Sequence, residues 1–207
     1  MDGVAVGFGT VAIGGPWSER PAIYEFYVRP ESRARAFALF DAFLSVCGAK
    51  RFEVQTSDEL LAVMLHTFGT NIESEKIVFC DHVTTDLPSQ GTVLKALTPE
   101  AEVLSCIDQR QGGGEWVLEL DGMTVASGGL LFHYNVPYGD VYMEVQEPFR
   151  RRGLGSYLVQ ELKRECYRLG AIPAARCSPT NVASRRTLQA AGMTPFAHIL
   201  TAELRAD

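Results

Sequence analysis

The run Val145-Gln-Glu-Pro-Phe-Arg150-Arg151-Arg152-Gly153-Leu154-Gly155-Ser156 passes from an apolar stretch through a basic turn into the start of a helical repeat. The first amides of a helix lack internal partners and point outward beside the positive end of its dipole. Gly153 and Gly155 carry no Cβ to hold an anion away from those amides. Arg150, Arg151 and Arg152 add forked donors that suit phosphate. Together these residue types make a pyrophosphate cradle. Two better-known phosphate loops are excluded. The dinucleotide fingerprint needs glycine where Leu158 stands, and a Walker loop needs a Gly-Lys-Ser/Thr run that the chain lacks. The plainer alternative is a tight basic turn at the head of a solvated helix.

Charge distribution favours the cradle. The formal net charge of −6 over 207 residues speaks against a general nucleic-acid-binding surface. Residues 1–90 carry 7 Lys/Arg against 12 Asp/Glu, whereas residues 146–186 carry nine against three. Such a basic island in an acidic chain suits a compact polyanion. The three arginines lack interleaved aromatics, so nucleic acid is not expected. No apolar run nears the roughly 18 residues of a membrane span, and Met1-Asp2-Gly3-Val4 lacks the basic start of a secretory signal. The five cysteines form no CxxC pair, which points to reduced thiols and a cytoplasmic setting. Cys80-Asp81-His82 offers metal-ligand types without a second cluster, so no metal is expected.

The elements that must position the cradle can be read from periodicity. Glu115–Leu120 and Thr124–Tyr134 flank Asp121-Gly122 as a hairpin, and Asp140–Val145 alternates as a strand. Leu154, Leu158, Leu162, Cys166 and Leu169 repeat at helical spacing until Gly170. A short strand at 171–177, a helix at Ser184–Ala191 and a strand at His198–Leu204 follow. Pro173 belongs at a strand start or beside a gap in pairing. A helical crossover implies a parallel strand pair in an α/β layered domain. The first half repeats this order in worn form: strands at Val4–Ile13 and Ile23–Val28, a helix at Ser32–Cys47, a strand at Arg51–Thr56, a helix at Asp58–Thr67 and a strand at Ile77–Phe79. Thr84–Gly91 reads as the linker, giving domains at 1–85 and 91–207.

Two motifs now stand on those elements. Arg150-x-x-Gly153-x-Gly155 is similar to the Gln/Arg-x-x-Gly-x-Gly/Ala signature of the GNAT superfamily of acyl-CoA-dependent N-acyltransferases. Asn181-Val-Ala-Ser184, with Gly192-Met193 beyond it, resembles that family's second signature. The resemblance covers residues 91–207. It implies a mixed, largely antiparallel sheet with a central parallel pair splayed for acyl-CoA, present here as two tandem copies of which the first is incomplete. It also implies that the amides of Arg151, Arg152, Gly153, Leu154, Gly155 and Ser156 hold the CoA pyrophosphate, aided by the Arg150 and Arg152 side chains. The Val145 main chain would then orient the pantetheine in the gap, which would also accommodate Pro173. Asn181 and Ser184 would contact its thiol end.

The reaction so implied is direct acetyl transfer from acetyl-CoA to a primary amine. It rests on placement, proton transfer and oxyanion stabilisation. Two departures bear on it. Leu188 stands where many relatives carry a tyrosine acid, and Gly139 where some carry a glutamate base. The local substitutes are Asp140, Tyr142, Glu144, His133 and Tyr138, with Glu144 and Tyr142 the leading candidates. Strand alternation sets Glu144 opposite Val145. In the first half, Ala36 and Ala38 replace Gly153 and Gly155, so that copy is expected to be silent. Its acidity favours a small cationic amine as acceptor, on a monomer that forms an internal pseudo-dimer. The rival readings are a non-catalytic acyl-CoA-binding sensor and an acetyltransferase acting on protein.

Overall fold

The computed structural model describes residues 4–133 and 136–205. The chain folds as two compact units, one formed by Met1–Ile77 with Ala197–Asp207 and the other by Val78–Phe196. The division differs from the one read at 85–91. Residues 84–91 lie inside the second unit, and the last strand lies mostly in the first.

In the first unit, β1 (Gly7–Ala12) and β2 (Ala22–Val28) form an antiparallel pair. A 3-10 turn at Pro30–Arg35 leads into α1 (Ala36–Cys47), which Gly48 ends with φ of +65°. β3 (Arg51–Gln55) follows, then α2 (Glu59–Phe68) and β4 (Gly69–Asp81). Asp58 caps α2 by accepting a hydrogen bond from Leu61 N at 2.9 Å. Burial explains why these segments hold. Ile23, Phe40, Phe52, Leu61, Met64 and Leu65 point into one core, with Phe40 and Phe52 stacked at 6.0 Å. β2 and β3 run parallel but pair only through Ala22–Arg51 and Ile23–Phe52 before diverging.

The strand expected at Ile77–Phe79 is the end of the 13-residue β4. The antiparallel partner of β3 is instead β10 (Met193–Leu204), whose Ile199–Glu203 pair with Arg51–Gln55. Periodicity found this strand but assigned it to the second half. Ala202 buries in the first unit's core, with Leu200 and Leu204 packed against it.

The second unit contains β5 (Val93–Ala96), α3 (Glu100–Gln109), β6 (Gly113–Leu120), β7 (Met123–Leu131) and β8 (Tyr138–Val145). A 3-10 turn at Glu147–Phe149 precedes α4 (Leu154–Arg168), β9 (Ile172–Cys177) and α5 (Val182–Ala190). Tyr134, the expected end of the second hairpin strand, falls outside the described residues. The strand order β5-β6-β7-β8-β9 is antiparallel except for β8 and β9. The apolar stripe of α4 (Leu154, Leu158, Leu162 and Cys166) is buried as its spacing requires. Hence the expected mixed sheet with a parallel pair is present. Neither β5 nor α3 was expected. In each unit a strand, a helix, a parallel strand and a second helix succeed one another, the order on which the tandem reading rests.

Candidate active site

β8 and β9 pair from Tyr138–Ile172 to Val141–Ala175 and part beyond that point. Pro173 lies opposite Gly139, within the paired stretch. The gap therefore does not accommodate it; its place as the second residue of β9 does. The divergence leaves Tyr142–Val145 bordering an opening. Val145 still pairs with Ala126 on its other side.

The turn after Val145 is shaped by two left-handed residues, Arg151 at φ +60° and Gly153 at φ +80°. Successive amides in such a conformation converge into an anion-binding concavity. Tyr157 N donates to Gly153 O at 3.0 Å as the first bond of α4. The amides of Leu154, Gly155 and Ser156 precede it and have no acceptor four residues back. A Cβ on Gly155 would stand 3.2 Å from Thr187 Cγ2 and 3.3 Å from Val145 Cγ2, so a glycine lets the helix end close on the strand.

The arginines also make contacts within the turn. Arg150 donates through Nε to Val145 O at 2.9 Å, and an Nη donates from Arg152 to Pro148 O at 3.2 Å. Arg152 also lies over the Phe149 ring at 5.4 Å. These two side chains, expected to help hold the pyrophosphate, also brace the turn. Arg151 projects from an exposed, left-handed position. Asn181 caps α5, accepting from Ser184 N at 3.0 Å, so the pair expected at the thiol end is tied together by the helix start.

Alternation settles the faces of β8. Cβ atoms built on Gly139 and Gly155 would meet Cys166 on α4, and Met143 and Val145 on β8, respectively, so the odd-numbered residues of β8 face α4. Tyr142 and Glu144 face the other way. The Glu144 side chain is 79% exposed and lies 3.9 Å from Arg150. Tyr142 is aligned with Gly129, which in turn is aligned with Glu115. A Cβ on Gly129 would be 2.7 Å from Tyr142 Oη. The glycine thus leaves a slot in which the ring crosses β7, and the hydroxyl donates to Glu115 at 3.5 Å. Burial, followed by the Glu115 charge, raises the Tyr142 pKa, so its hydroxyl stays protonated. Glu115 was read only as a strand residue; the sole sequence signal for it was the Gly128-Gly129 pair.

Both departures lie at packed positions. Leu188 is buried in the core, and a side chain at Gly139 would collide with Cys166 at 2.8 Å. Near Gly139, Asp140 pairs with Arg176 at 3.0 Å. Its carboxyl is raised by burial, against the opposing pull of Arg176.

A second set of positioning residues was missed because it was read as linker. The 84–91 segment is strapped to α4. Gln160 accepts from Leu87 N at 2.7 Å through Oε1, and Gln90 Nε2 donates to Arg152 O, in the cradle turn itself. Lys163 is 4% exposed and donates to Val83 O at 2.9 Å, Ala191 O at 2.7 Å and Asp81 at 2.6 Å. The Tyr167 hydroxyl completes the cluster on Asp81 at 2.8 Å. A buried lysine, glutamine or aspartate inside apparent linker and helix carries no periodic signature.

Among the described residues no helix is long and apolar enough to cross a membrane, and no group of three or more His, Cys, Asp or Glu could hold a metal ion.

The model of the acetyltransferase (GNAT) family matches residues 83–193, and the chain belongs to that family. No curated protein matches it. Among solved structures it is similar to an acetyltransferase of the GNAT family from Colwellia psychrerythraea, with a TM-score of 0.69 at 15% identity, covering 99% of this chain and 83% of that one. A tandem GNAT protein from the clavulanic acid biosynthesis pathway gives 0.62 at 14% identity, covering 100% and 82%. A GCN5-related N-acetyltransferase from Sphaerobacter thermophilus gives 0.61 at 15%, covering 99% and 79%. At such identities the likeness concerns the fold.

Proposed function

We propose that the second unit transfers an acetyl group directly from acetyl-CoA to a primary amine of a small molecule. The observation that carries this reading is the opening between β8 and β9. Unbonded helix amides lie on its α4 side, and the Tyr142–Glu115 row lies on the opposite face. The donor set fits acetyl-CoA. The amides of Leu154–Ser156 and the left-handed turn at Arg151–Gly153 hold the pyrophosphate, while Gly155 lets the start of α4 pack against β8. Bound there, acetyl-CoA supplies a thioester carbonyl, at which a C–N bond forms as the C–S bond breaks.

On the far face, Glu115 holds the acceptor's ammonium group and takes its proton at a carboxylate oxygen. The second proton, shed by nitrogen as the C–N bond forms, goes to the CoA thiolate released as the C–S bond breaks. Tyr142 keeps its own proton and donates it to Glu115 across β7. Glu144 is the less suitable base, because its side chain is mostly in water and faces Arg150. The sensor reading retains one specific support. Leu188 and Gly139 leave both usual proton-transfer positions empty, and their burial prevents local adjustment. Action on a protein amine would use the same cradle.

Titration with acetyl-CoA by calorimetry, beside Gly153→Asp, tests the cradle. Stoichiometry near one is expected, with affinity lost in the variant, whose carboxylate faces the phosphates on a backbone of φ +80°. Absence of binding by a folded wild-type chain would overturn the reading. Thiol release with amine pools then separates enzyme from sensor. Glu115→Gln should lower kcat by about 10²–10⁴-fold, the usual range for a general base. Turnover with peptides alone would favour a protein acceptor.

A further inference from the structure

We infer that the first unit binds a small organic cation in the opening between its own parallel strands, β2 and β3. This inference concerns that unit alone and does not depend on the acetyl-transfer reading. The two strands share only two residue pairs before they separate. Beyond the separation lies a cavity of about 360 Å³, whose lining includes Phe8, Glu25, Tyr27, Arg33, Asp58 and Glu59. That volume is at the small end of the range for ligand pockets.

An acyl-CoA is a poor occupant, for a local reason. The segment after β2 is a 3-10 turn at Pro30–Arg35 that runs directly into α1, without the left-handed residues that shape the turn at Arg151–Gly153. Ser32 N donates to Arg29 O at 2.8 Å, and Ala36 N to Arg33 O. A 3-10 turn and the first of these bonds also precede α4, where Phe149 N donates to Gln146 O. The difference lies at Ala36, whose amide is spent on Arg33 O and whose buried methyl stands where a glycine would be needed.

The lining matches a different chemistry. Three carboxylates face one guanidinium. Glu25 uses one oxygen on the Thr10 hydroxyl at 3.1 Å, and Asp58 uses one on Leu61 N at 2.9 Å, so each keeps a second oxygen for a ligand. The Asp58 cap and the following Glu59 also offset the positive end of α2. Phe8 and Tyr27 place their rings 5.6 Å apart and remain 56% and 43% exposed, an apolar wall beside the acidic groups. Carboxylates beside open aromatic faces suit an ammonium group carried on an apolar body.

The probe is 2-phenylethylamine, with 3-phenylpropanoate as its charge-reversed counterpart, each titrated into the full chain and followed by NMR. Saturable shifts are expected for the amine at residues 8, 25–27 and 57–60, with little response to the acid. Glu25→Gln combined with Glu59→Gln should weaken the amine about tenfold or more, and Tyr27→Ala should also weaken it. Gly153→Asp should leave it unchanged even where acetyl-CoA binding is lost. The inference is overturned if the amine gives no saturable shift up to about 10 mM, an ample range for a nine-atom ligand. It is equally overturned if the acid binds as well, or if the double glutamine variant, a surface change that needs no refolding of the core, binds the amine unchanged.

Discussion

Lys163→Met removes the cation that ties Asp81 and Val83, just ahead of the strap, to α4. The ammonium is hydrogen-bonded to two carbonyls and to Asp81, and the two side chains are only 5% and 9% exposed. Water therefore cannot replace the missing partner. Asp81 would keep only the Tyr167 hydroxyl and its own local amide contact, from His82 N. Breaking a buried pair from one side costs about 3–5 kcal/mol, because the remaining charge is uncompensated. In a chain of this size each kcal/mol lowers Tm by about 2–4 °C, so the midpoint should fall by roughly 6–20 °C. Urea unfolding followed by circular dichroism gives the free energy directly. Adding Asp81→Asn should recover about 1–2 kcal/mol, since the stranded charge is then gone. A loss below about 1 kcal/mol in the single variant, or simple additivity in the double, would refute the claim that this cluster ties the chain ahead of the strap to α4.

Arg151→Gly relieves a left-handed backbone that costs a side-chain-bearing residue about 1–2 kcal/mol. Part of that gain is offset by the freer unfolded chain, so a stabilisation of up to about 1 kcal/mol should appear in urea midpoints. The lost cation should weaken acetyl-CoA severalfold, more so at low salt, by calorimetry. Burial pushes the Cys166 thiol up to about 12. Iodoacetamide at pH 8 should therefore label Cys166 only after denaturation, while the less buried Cys47, Cys80 and Cys106 react in the native chain; peptide mass spectrometry distinguishes them.

The cradle was legible in the sequence because its requirements are local: glycines at fixed offsets, a strand before them and a helical stripe after them. The same holds for α4 and for the hairpin at Asp121-Gly122. Pairing partners were less accessible. Alternation in 198–204 announces a strand without saying which neighbour it takes, and β10 went to β3. The four-residue β5 and the mixed-polarity α3 gave too little periodicity to stand out. Glu115 escaped because its importance depends on a tyrosine two strands away, reaching it across a glycine. Lys163 and Gln160 sit at positions that helical spacing assigns to a solvated side; their burial depends on Asp81, Val83 and Ala191 for the first and on Leu87 for the second.

The first unit is completed by a segment that is synthesised only after the whole of the second. Its β3 edge waits for Ile199–Glu203, while the 119 residues of 78–196 are translated in between. At ribosomal speeds of about 5–20 residues per second, that interval is roughly 6–24 s. Throughout it, β3 presents unpaired backbone groups beside a core that still lacks Ala202, a state that invites edge-to-edge association. Fusion of a slow-folding partner after residue 207 would not lengthen the wait, whereas an insertion between residues 78 and 196 would. The order of synthesis thus leaves the first unit open for as long as the second is being made.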